Sequence, residues 1–235
     1  MDLLSMIRAM LKEKIFIVIP AYNEEKTIGR VLKKLLNLEY QNIIVVNDCS
    51  TDKTGKEVKK FPVKLYSHII NRGLGGALRT GFAAALNYGA EIIITMDADS
   101  QHKPEEVFDL ARPIIDKQAE IVLGVRHKNR YQMPLMRKIA NSLSNFFTHL
   151  FFGIKVSDSQ SGFRAFKRSA LEKMQFFSSR MEISSEIVKE IASKELNFKE
   201  VPISTIYTSY SLSKGQNFKS GLKTLARLLA IKFRQ

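Results

Sequence analysis

Short runs made up mostly of apolar residues recur along the first half of the chain, and most are rich in β-branched side chains. They lie at 15–19, 43–46, 63–67, 92–96 and 120–124. Between and after them, helices are predicted at 24–36, 50–60, 74–88 and 104–117, the second of these from the N-cap candidates at 50–52. Continuous apolar runs are typical of strands that are buried on both faces. The alternation therefore predicts an α/β fold, with a mostly parallel central sheet and helices on both faces.

The pattern of predicted strands and helices changes after residue 126. The second half carries fewer strand-like runs and longer helical ones. In order, we expect a long amphipathic stretch at 131–152, a short aromatic segment at 161–166, a helix at 178–196, a strand at 198–203 and a basic, apolar helix at 218–233.

These patterns predict one domain with a short helix at each end. We expect amphipathic helices at 1–14 and 215–235 around a domain at 15–214, whose two halves are 15–126 and 127–214. No apolar run approaches the roughly 18 residues that a membrane span needs. The first residues lack the cleavage site of a secretory signal, so we expect none. A single cysteine, Cys49, excludes an internal disulfide framework and fits a reducing compartment.

The charge balance indicates an anionic partner. Lys and Arg number 37 against 23 Asp and Glu, which gives a net charge of +14. Nucleic acid, a phosphorylated substrate and an anionic membrane surface would each suit such a chain. The hydrophobic fraction of 45% excludes a disordered chain. The interleaved aromatic residues and the known motifs of nucleic-acid-binding proteins are missing, so we expect no nucleic acid.

Polar and glycine-rich segments follow the five strands predicted in the first half. These segments are 20–24, 47–52, 71–76, 97–102 and 124–126. In open α/β sheets, ligands bind beyond the carboxyl ends of the strands. Five such segments at one edge of the sheet therefore predict a binding site there.

Asp97 and Asp99 are the foremost candidates for metal ligands. They follow a predicted buried strand and are separated by one small residue, so both carboxylates can face one ion. Mg²⁺ and Mn²⁺ typically take one or two carboxylates and leave the other positions to substrate phosphates and water. Gln101 adds a neutral oxygen nearby, and His102 suits a hydrogen-bonding role better than ligation.

Two common phosphate-binding motifs are missing. The chain has no G-x-x-x-x-G-K-[ST], and Leu78 stands where the dinucleotide fingerprint that would begin at Gly73 has Gly or Ala. The glycines around Gly75 permit either a close approach to a nucleotide or a tight turn with close helix packing. Both interpretations stay open.

Taken in order, the motifs resemble those of family 2 glycosyltransferases. The matching segments are PAYNE at 20–24, DCSTD at 48–52, NRGLGGA at 71–77 and MDADSQHKPE at 96–105. Further segments are similar to the dolichol-phosphate mannosyltransferase branch: GVR at 124–126, DSQSGFR at 158–164 and VPI at 201–203. The resemblance implies a GT-A fold. It also implies an inverting enzyme that moves a hexose from GDP-mannose or UDP-glucose to a polyprenyl or dolichyl phosphate.

The resemblance assigns candidate site residues by position. Those expected to bind the nucleotide sugar are Pro20, Ala21, Tyr22, Glu24, Asp48, Gly75, Asp97 and Ala98. Asp97, Asp99 and Gln101 would hold Mg²⁺ or Mn²⁺. Asn47 and Leu74 depart from the family pattern, which has Asp and frequently Lys at these positions. Both departures bear on the identity of the base.

An acceptor phosphate is already an anionic nucleophile, so it needs positive charge for positioning more than it needs a general base. The resemblance gives this role to four residues: Arg126, Arg137, Arg164 and Lys214. Asp99, Arg126 and Arg164 are the residues expected to act in catalysis. A soluble or polysaccharide hydroxyl acceptor is the alternative, and it would need Asp158 or Glu186 as a base.

A polyprenyl phosphate lies in a bilayer, so the enzyme that the resemblance implies must reach one. Three stretches would dock on an anionic membrane surface: the apolar stretch at 145–154, which basic residues flank, the basic amphipathic stretch at 219–234 and the N-terminal helix. This predicts peripheral attachment to the cytoplasmic face of a membrane. The alternative is that these helices pack on the domain.

Overall fold

A computed structural model describes residues 3–126 and 152–206, together with residues 142, 145, 146 and 148–150. Within them the chain forms a central sheet with helices on both faces. The helix predicted at 218–233 lies outside the described residues, as does most of the stretch predicted at 131–152.

Seven strands form the sheet in this part of the chain. They are β1 (Ile15–Ala21), β2 (Ile43–Asn47), β3 (Lys64–Ser67), β4 (Ile92–Thr95), β5 (Ile121–Val125), β6 (Arg164–Lys167) and β7 (Phe198–Pro202). Their order across the sheet is β3-β2-β1-β4-β6-β5-β7. Neighbouring strands are parallel except for β6, which runs antiparallel to both β4 and β5. The predicted α/β fold with a mostly parallel sheet is confirmed.

Helices connect the strands at close to the predicted positions. They are Leu3–Glu13, Ile28–Asn37, Thr54–Val58, Gly73–Asn87, Val107–Ile115, Arg168–Leu171 and Ile183–Ser193, with a 3-10 turn at Pro104–Glu106. Among the helices of the described residues, none combines the length and the apolar character needed to cross a bilayer.

The core has two layers, one on each face of the sheet, and β1 contributes to both. Ile17 packs in one layer with Leu32 and Leu110, which come from the helices that begin at residues 28 and 107. Val18 packs in the other layer with Phe82, from the helix that begins at residue 73. Burial on both faces explains why β1 is apolar throughout and does not alternate with polar residues.

The sequence pattern did not predict β6. This strand has four residues and begins with a charged side chain, Arg164, which stands opposite Thr95 of β4 and Leu123 of β5. Only Ala165 and Phe166 give it a strand-like character. Because β6 starts where β4 ends, the segment before it is brought to the carboxyl edge of the sheet.

The helix predicted at 50–60 is shorter than expected, because the polar residues ahead of it serve the loops. The Ser50 hydroxyl accepts a hydrogen bond from the Asn23 backbone N–H at 2.9 Å. The Asp52 carboxylate accepts one from the Glu25 backbone N–H at 3.1 Å and one from the Thr54 N–H at 2.9 Å. The helix therefore begins only at Thr54, and Ser50 caps a neighbouring loop.

Candidate active site

The loops that follow β1 and β2 are joined by hydrogen bonds at the carboxyl edge. The Asn23 side-chain oxygen accepts from the Thr51 backbone N–H at 2.8 Å, and Thr54 Oγ1 accepts from the Glu24 N–H at 2.7 Å. Asn23 and Cys49 have positive φ angles of 55° and 60°. Left-handed backbone at non-glycine residues is uncommon and often marks functional loops. The two loops therefore form one structural unit at the carboxyl edge of the sheet, where the binding site is predicted.

The residues predicted to hold the base and ribose lie on this unit. Ala21 is buried, Pro20 is half-buried and Tyr22 is 48% exposed. An accessible aromatic ring at the rim of a loop is suited to stacking on a base. The Glu24 carboxylate accepts a hydrogen bond from the Thr27 hydroxyl at 2.8 Å. The roles of these residues at a nucleotide stay predictions.

The Asp48 carboxylate is turned toward the protein. It accepts hydrogen bonds from the backbone N–H groups of Arg72 at 2.8 Å and of Gly73 at 2.7 Å. His68 Nδ1 lies 2.7 Å from the same carboxylate. These three partners occupy most of its lone pairs. Asp48 thus fixes the backbone of the loop after β3. Its predicted hydrogen bond to a base stays a prediction.

Gly75 lies where the chain packs against itself. A Cβ at this position would overlap the Ser178 carbonyl oxygen, and the Gly76 N–H donates to the Ser179 carbonyl at 3.2 Å. Of the two interpretations left open by the sequence, these contacts favour close packing. A nucleotide contact by Gly75 stays a prediction.

Asp97 and Asp99 follow β4 on either side of the buried Ala98. His102 Nε2 lies 2.9 Å from Asp97 Oδ2, and the Asp97 side chain is 40% exposed. Burial opposes ionisation of Asp97, but the hydrogen bond with His102 and the charges of Arg126 and Arg164 outweigh it. The pKa of Asp97 is therefore lowered.

Asp99 has the opposite shift. Burial and the charge of Asp97 raise its pKa above the ordinary value. The Gln101 backbone N–H donates to Asp99 Oδ1 at 3.0 Å, and the Gln101 amide nitrogen donates to Oδ2. In this arrangement Gln101 supports Asp99 through its nitrogen. The Gln101 side-chain oxygen, which was predicted to bind the metal, would face an ion only after the side-chain amide flipped.

The residues after β4 fit a hard divalent cation. They offer two carboxylates whose mutual repulsion a cation would relieve, and one of these is accessible from solvent. Within the described residues, no group of three or more His, Cys, Asp or Glu is arranged to hold an ion. A pair of carboxylates is nevertheless what Mg²⁺ and Mn²⁺ use when phosphates and water complete the coordination.

Gly162 allows the Asp97 carboxylate its position, and sequence reasoning missed this contact. A Cβ at Gly162 would overlap Asp97 Oδ1 and lie 2.6 Å from Oδ2. The Thr95 hydroxyl donates to the Gly162 carbonyl at 2.7 Å, which fixes the glycine beside the end of β4. The only sequence signal was the glycine itself, within the SGFR segment.

Arg126 and Asp158 are paired. Arg126 Nε lies 2.6 Å from Asp158 Oδ2, and Nη2 lies 2.8 Å from Oδ1. The Arg126 side chain is 19% exposed, and that of Asp158 is 2% exposed. Burial opposes ionisation of Asp158, but the contacts with Arg126 lower its pKa below the ordinary value. Arg126 thus lies at the carboxyl edge of the sheet, as predicted, and its guanidinium is paired with the Asp158 carboxylate.

Arg164 is buried beneath the site, with 2% of its surface exposed. Its guanidinium donates to the Ser159 carbonyl at 2.8 Å. Burial lowers the pKa of Arg164 to about 10, against the opposing effects of Asp158 and Asp97. A direct grip on an acceptor phosphate would need a more accessible side chain. The structure instead gives Arg164 the position of a fixed positive charge near Asp97.

The two alternative bases are both engaged. Asp158 pairs with Arg126, and its lowered pKa makes it a weak base. Glu186 is buried and accepts hydrogen bonds from the backbone N–H groups of Phe177 and Ser178, each at 2.9 Å. Both carboxylates are thus engaged in other contacts, and a base role for either residue stays a prediction. Arg137 and Lys214 lie outside the described residues, and their predicted roles stay predictions.

A sequence profile comparison decides the family. The profile described as glycosyl transferase family 2 matches residues 16–175, about two thirds of the chain. The chain belongs to glycosyl transferase family 2. The resemblance drawn from the motifs is confirmed, and this family 2 member is a glycosyltransferase.

Two relatives and one solved structure add detail. This family 2 member is 41% identical, over 95% of its length and 98% of the relative's, to a UDP-N-acetylglucosamine–dolichyl-phosphate N-acetylglucosaminyltransferase of Methanococcus voltae. It is 29% identical, over 69% of its length and 64% of the relative's, to a polyprenol monophosphomannose synthase of Mycolicibacterium smegmatis. Its fold is similar to that of glucosyl-3-phosphoglycerate synthase from Mycobacterium tuberculosis, solved with UDP. That match has a TM-score of 0.76 at 19% identity and covers 99% of this chain and 84% of the other. The GT-A fold is confirmed.

Proposed function

We propose that this enzyme transfers a hexose from a nucleotide sugar to a polyprenyl phosphate, with inversion at the anomeric carbon and with a divalent cation. The observation that carries the proposal is the convergence of Asp97 and Asp99 with Arg126 at one edge of the sheet. A carboxylate pair suits a cation bound to a diphosphate, and a guanidinium suits a second phosphate. The name of the relative from Methanococcus voltae, which includes a dolichyl phosphate, supports the acceptor class.

Asp97 and Asp99 would hold Mg²⁺ or Mn²⁺, joined by Gln101 once its amide oxygen faces the ion. When bound, the cation would offset the charge that develops on the departing diphosphate. His102 would keep the Asp97 carboxylate oriented through its 2.9 Å contact. Arg164 would act from beneath, as a charge that keeps Asp97 ionised.

The acceptor phosphate is ionised at neutral pH and would attack the anomeric carbon without losing a proton. Engagement of both Asp158 and Glu186 in other contacts favours such an acceptor over a hydroxyl group. Arg126 would orient the phosphate when its guanidinium exchanges Asp158 oxygens for phosphate oxygens, since both ligands fit the same bidentate geometry.

We propose UDP-N-acetylglucosamine as the first donor to test. The Methanococcus voltae relative carries this donor in its name, and the two sequences align over nearly the whole of both chains. The fold neighbour, which was solved with UDP, is compatible with a uridine nucleotide. GDP-mannose and UDP-glucose, the donors that the motifs implied, are the competing choices.

Peripheral attachment to the cytoplasmic face of a membrane is part of the proposal, because a polyprenyl phosphate is held in a bilayer. The net charge of +14 would favour an anionic membrane surface. Exposed apolar side chains such as Phe146 and Leu150, each 59% exposed, support contact with lipid.

A donor screen tests this function. The enzyme is incubated with each radiolabelled nucleotide sugar, polyprenyl phosphate and Mg²⁺ or Mn²⁺, and the lipid is then extracted. We expect label in the organic phase with one donor, and its loss in excess EDTA and in Asp99→Ala. The control Asp116→Ala removes a carboxylate that is 43% exposed and lies at the end of the helix Val107–Ile115, before the amino end of β5, and it should transfer normally. Label in water-soluble products only, or full turnover in EDTA, would contradict the proposal.

A further inference from the structure

Two short segments present large apolar side chains to solvent. In the loop after β3, Ile69 is 95% exposed and Ile70 is 70% exposed. Before the helix Ile183–Ser193, Phe177 is 66% exposed and Met181 is 36% exposed. Isolated exposed apolar residues are ordinary, but a contiguous group of them marks an interaction surface. We call these four side chains the edge patch.

The two segments of the edge patch lie against each other. The Gly76 N–H donates to the Ser179 carbonyl at 3.2 Å, and Arg180 Cγ lies 2.9 Å from the position of a Cβ on Gly73. Ile70 is three residues from Gly73, and the apolar side chains at 177 and 181 each lie within two residues of Ser179. Three residues of chain span at most about 11 Å, so the four side chains stand on two neighbouring segments of the same edge.

This surface borders the candidate active site. The loop that carries Ile69 is fixed by Asp48, which accepts hydrogen bonds from the N–H groups of Arg72 and Gly73. Cys49 Sγ also donates to the Ile69 carbonyl at 3.2 Å. The part of the edge patch that carries Ile69 and Ile70 therefore lies at the carboxyl edge of the sheet, on the loop that follows β3.

The charges around the edge patch are positive. Arg72 and Arg180 lie in the same two segments and are exposed. The carboxylates that accept hydrogen bonds from the backbone of these segments, Asp48 and Glu186, are buried. Apolar side chains flanked by exposed arginines suit the interface of an anionic bilayer, where the apolar groups enter the acyl boundary and the guanidinium groups meet lipid phosphates.

The backbone of the edge patch is also held in place. Glu186 accepts hydrogen bonds from the N–H groups of Phe177 and Ser178, and Arg79 donates to the Ser178 carbonyl at 3.0 Å. A surface ordered in advance loses little conformational entropy when it binds.

We propose that the edge patch is the membrane-docking surface of this enzyme, with an anionic lipid bilayer as its partner. Docking there would turn the carboxyl edge of the sheet, with Asp97 and Asp99, toward the lipid that presents the acceptor. This orientation rests on the proposed polyprenyl phosphate acceptor. None of the three stretches that the sequence suggested for docking contains an edge-patch residue.

Vesicle flotation tests the proposal. The probes are vesicles of phosphatidylglycerol and phosphatidylcholine, and vesicles of phosphatidylcholine alone, without any polyprenyl phosphate. We expect the enzyme to float with the anionic vesicles, and the double variant Ile69→Ser/Ile70→Ser to bind them at least tenfold more weakly with an unchanged melting temperature. Phe177→Ser provides a second variant on the other segment.

Met10→Ser is the matched control. It removes an apolar side chain that is 64% exposed, on the helix that leads into the opposite, amino end of β1. We expect its vesicle binding to stay within twofold of the parent protein. The proposal is overturned if Met10→Ser weakens vesicle binding and the edge-patch variants do not. It is also overturned if the parent protein and the edge-patch variants bind vesicles equally. Binding to native membranes but not to lipid vesicles would indicate a protein partner and would also overturn it.

A pair of acceptors separates this proposal from the proposed function. With a short-chain, water-soluble isoprenyl phosphate, the Ile69→Ser/Ile70→Ser enzyme should turn over within twofold of the parent. With polyprenyl phosphate in anionic vesicles, its rate should fall at least tenfold. If the parent enzyme transfers sugar to neither acceptor, the proposed function fails, while the flotation result still decides the edge patch.

Discussion

Arg126 and Asp158 face each other across the carboxyl edge of the sheet, 32 residues apart in sequence, with two guanidinium nitrogens on two carboxylate oxygens at 2.6 and 2.8 Å. The Asp158 carboxylate also accepts from the Arg126 and Gln160 backbone N–H groups, each at 3.3 Å. The pair joins the end of β5 to the segment that precedes β6. It thereby fixes the guanidinium that we propose for the acceptor phosphate.

Asp158→Asn should lower the free energy of unfolding by about 1.5–3 kcal/mol at neutral pH, because it removes charge-assisted hydrogen bonds. The folded pKa of Asp158 is below its ordinary value of about 4. Its stabilising effect is therefore complete at neutral pH and is lost as the pH falls through the folded pKa. Denaturant unfolding of both proteins between neutral and strongly acidic pH measures this.

The control for that experiment is Asp116→Asn, which changes a carboxylate 43% exposed and 3.6 Å from Arg112. An exposed pair of this kind contributes about 0–1 kcal/mol. A stability difference for Asp158→Asn that stays constant over the whole pH range would show that the ionised carboxylate is not what stabilises the fold.

Gly162→Ala should reduce turnover by about 100-fold, the size of effect that a misplacement near 1 Å can have at a reacting centre. The added Cβ would overlap Asp97 Oδ1 and push the carboxylate away. Steady-state rates at saturating donor and metal measure the effect. Gly29→Ala is the control, since its Cβ would meet Phe61 at an ordinary 3.7 Å within a helix. It should keep full activity, and wild-type rates in Gly162→Ala would refute the importance of this contact.

Arg164→Lys should lower kcat/KM by roughly 10- to 100-fold, about 1.4–2.7 kcal/mol in barrier. Burial already lowers the pKa of Arg164 to about 10. Lysine begins from a lower pKa than arginine, so it would hold its charge less securely and present a single ammonium to Ser159 and Asp97. Kinetics and melting temperature are measured on the same preparation. A variant that melts early but turns over normally would give Arg164 a purely structural role.

Asp48→Ala should weaken donor binding by about 10- to 150-fold and also lower the melting temperature. The expected loss of about 1.5–3 kcal/mol is that of a hydrogen bond to a charged group, here one that fixes the loop after β3. Calorimetric titration with the donor, beside thermal unfolding, measures both. Glu57→Ala, which removes an exposed contact with Lys60, is the control. An unchanged Kd with a lowered melting temperature would leave Asp48 without a part in donor binding.

The parts of the site that follow directly from local sequence could be predicted. β1 and β4 are buried, largely apolar runs, and Asp97 and Asp99 come shortly after the second of them, so their position at the edge of the sheet follows from chain order. The remainder depends on contacts that are distant in sequence. Nothing near Asp158 reveals that Arg126 is its partner, and nothing near Asp48 reveals that the backbone of Gly73 is one of its donors.

Charge and length explain the strand that was missed. A four-residue strand led by Arg164 resembles a loop in any local pattern, because the carboxylates that offset its charge, Asp97 and Asp158, lie outside the strand. The same reasoning explains why the contacts of Glu186 could not be predicted. Its acidic side chain suggested a base. Its hydrogen bonds to Phe177 and Ser178 depend on a loop that folds back over the helix start.

The placement of β6 determines how the chain can be divided. β5 comes from the half at 15–126, yet both of its neighbours in the sheet, β6 and β7, come from the half at 127–214. A fragment cut after residue 126 would carry β5 with no strand beside it and would leave one side of β4 unpaired. Exposed strand edges of this kind favour aggregation. The two halves therefore form one folding unit: an acceptor half cannot be exchanged between relatives by joining chains at residue 126 without disrupting strand pairing in the middle of the sheet.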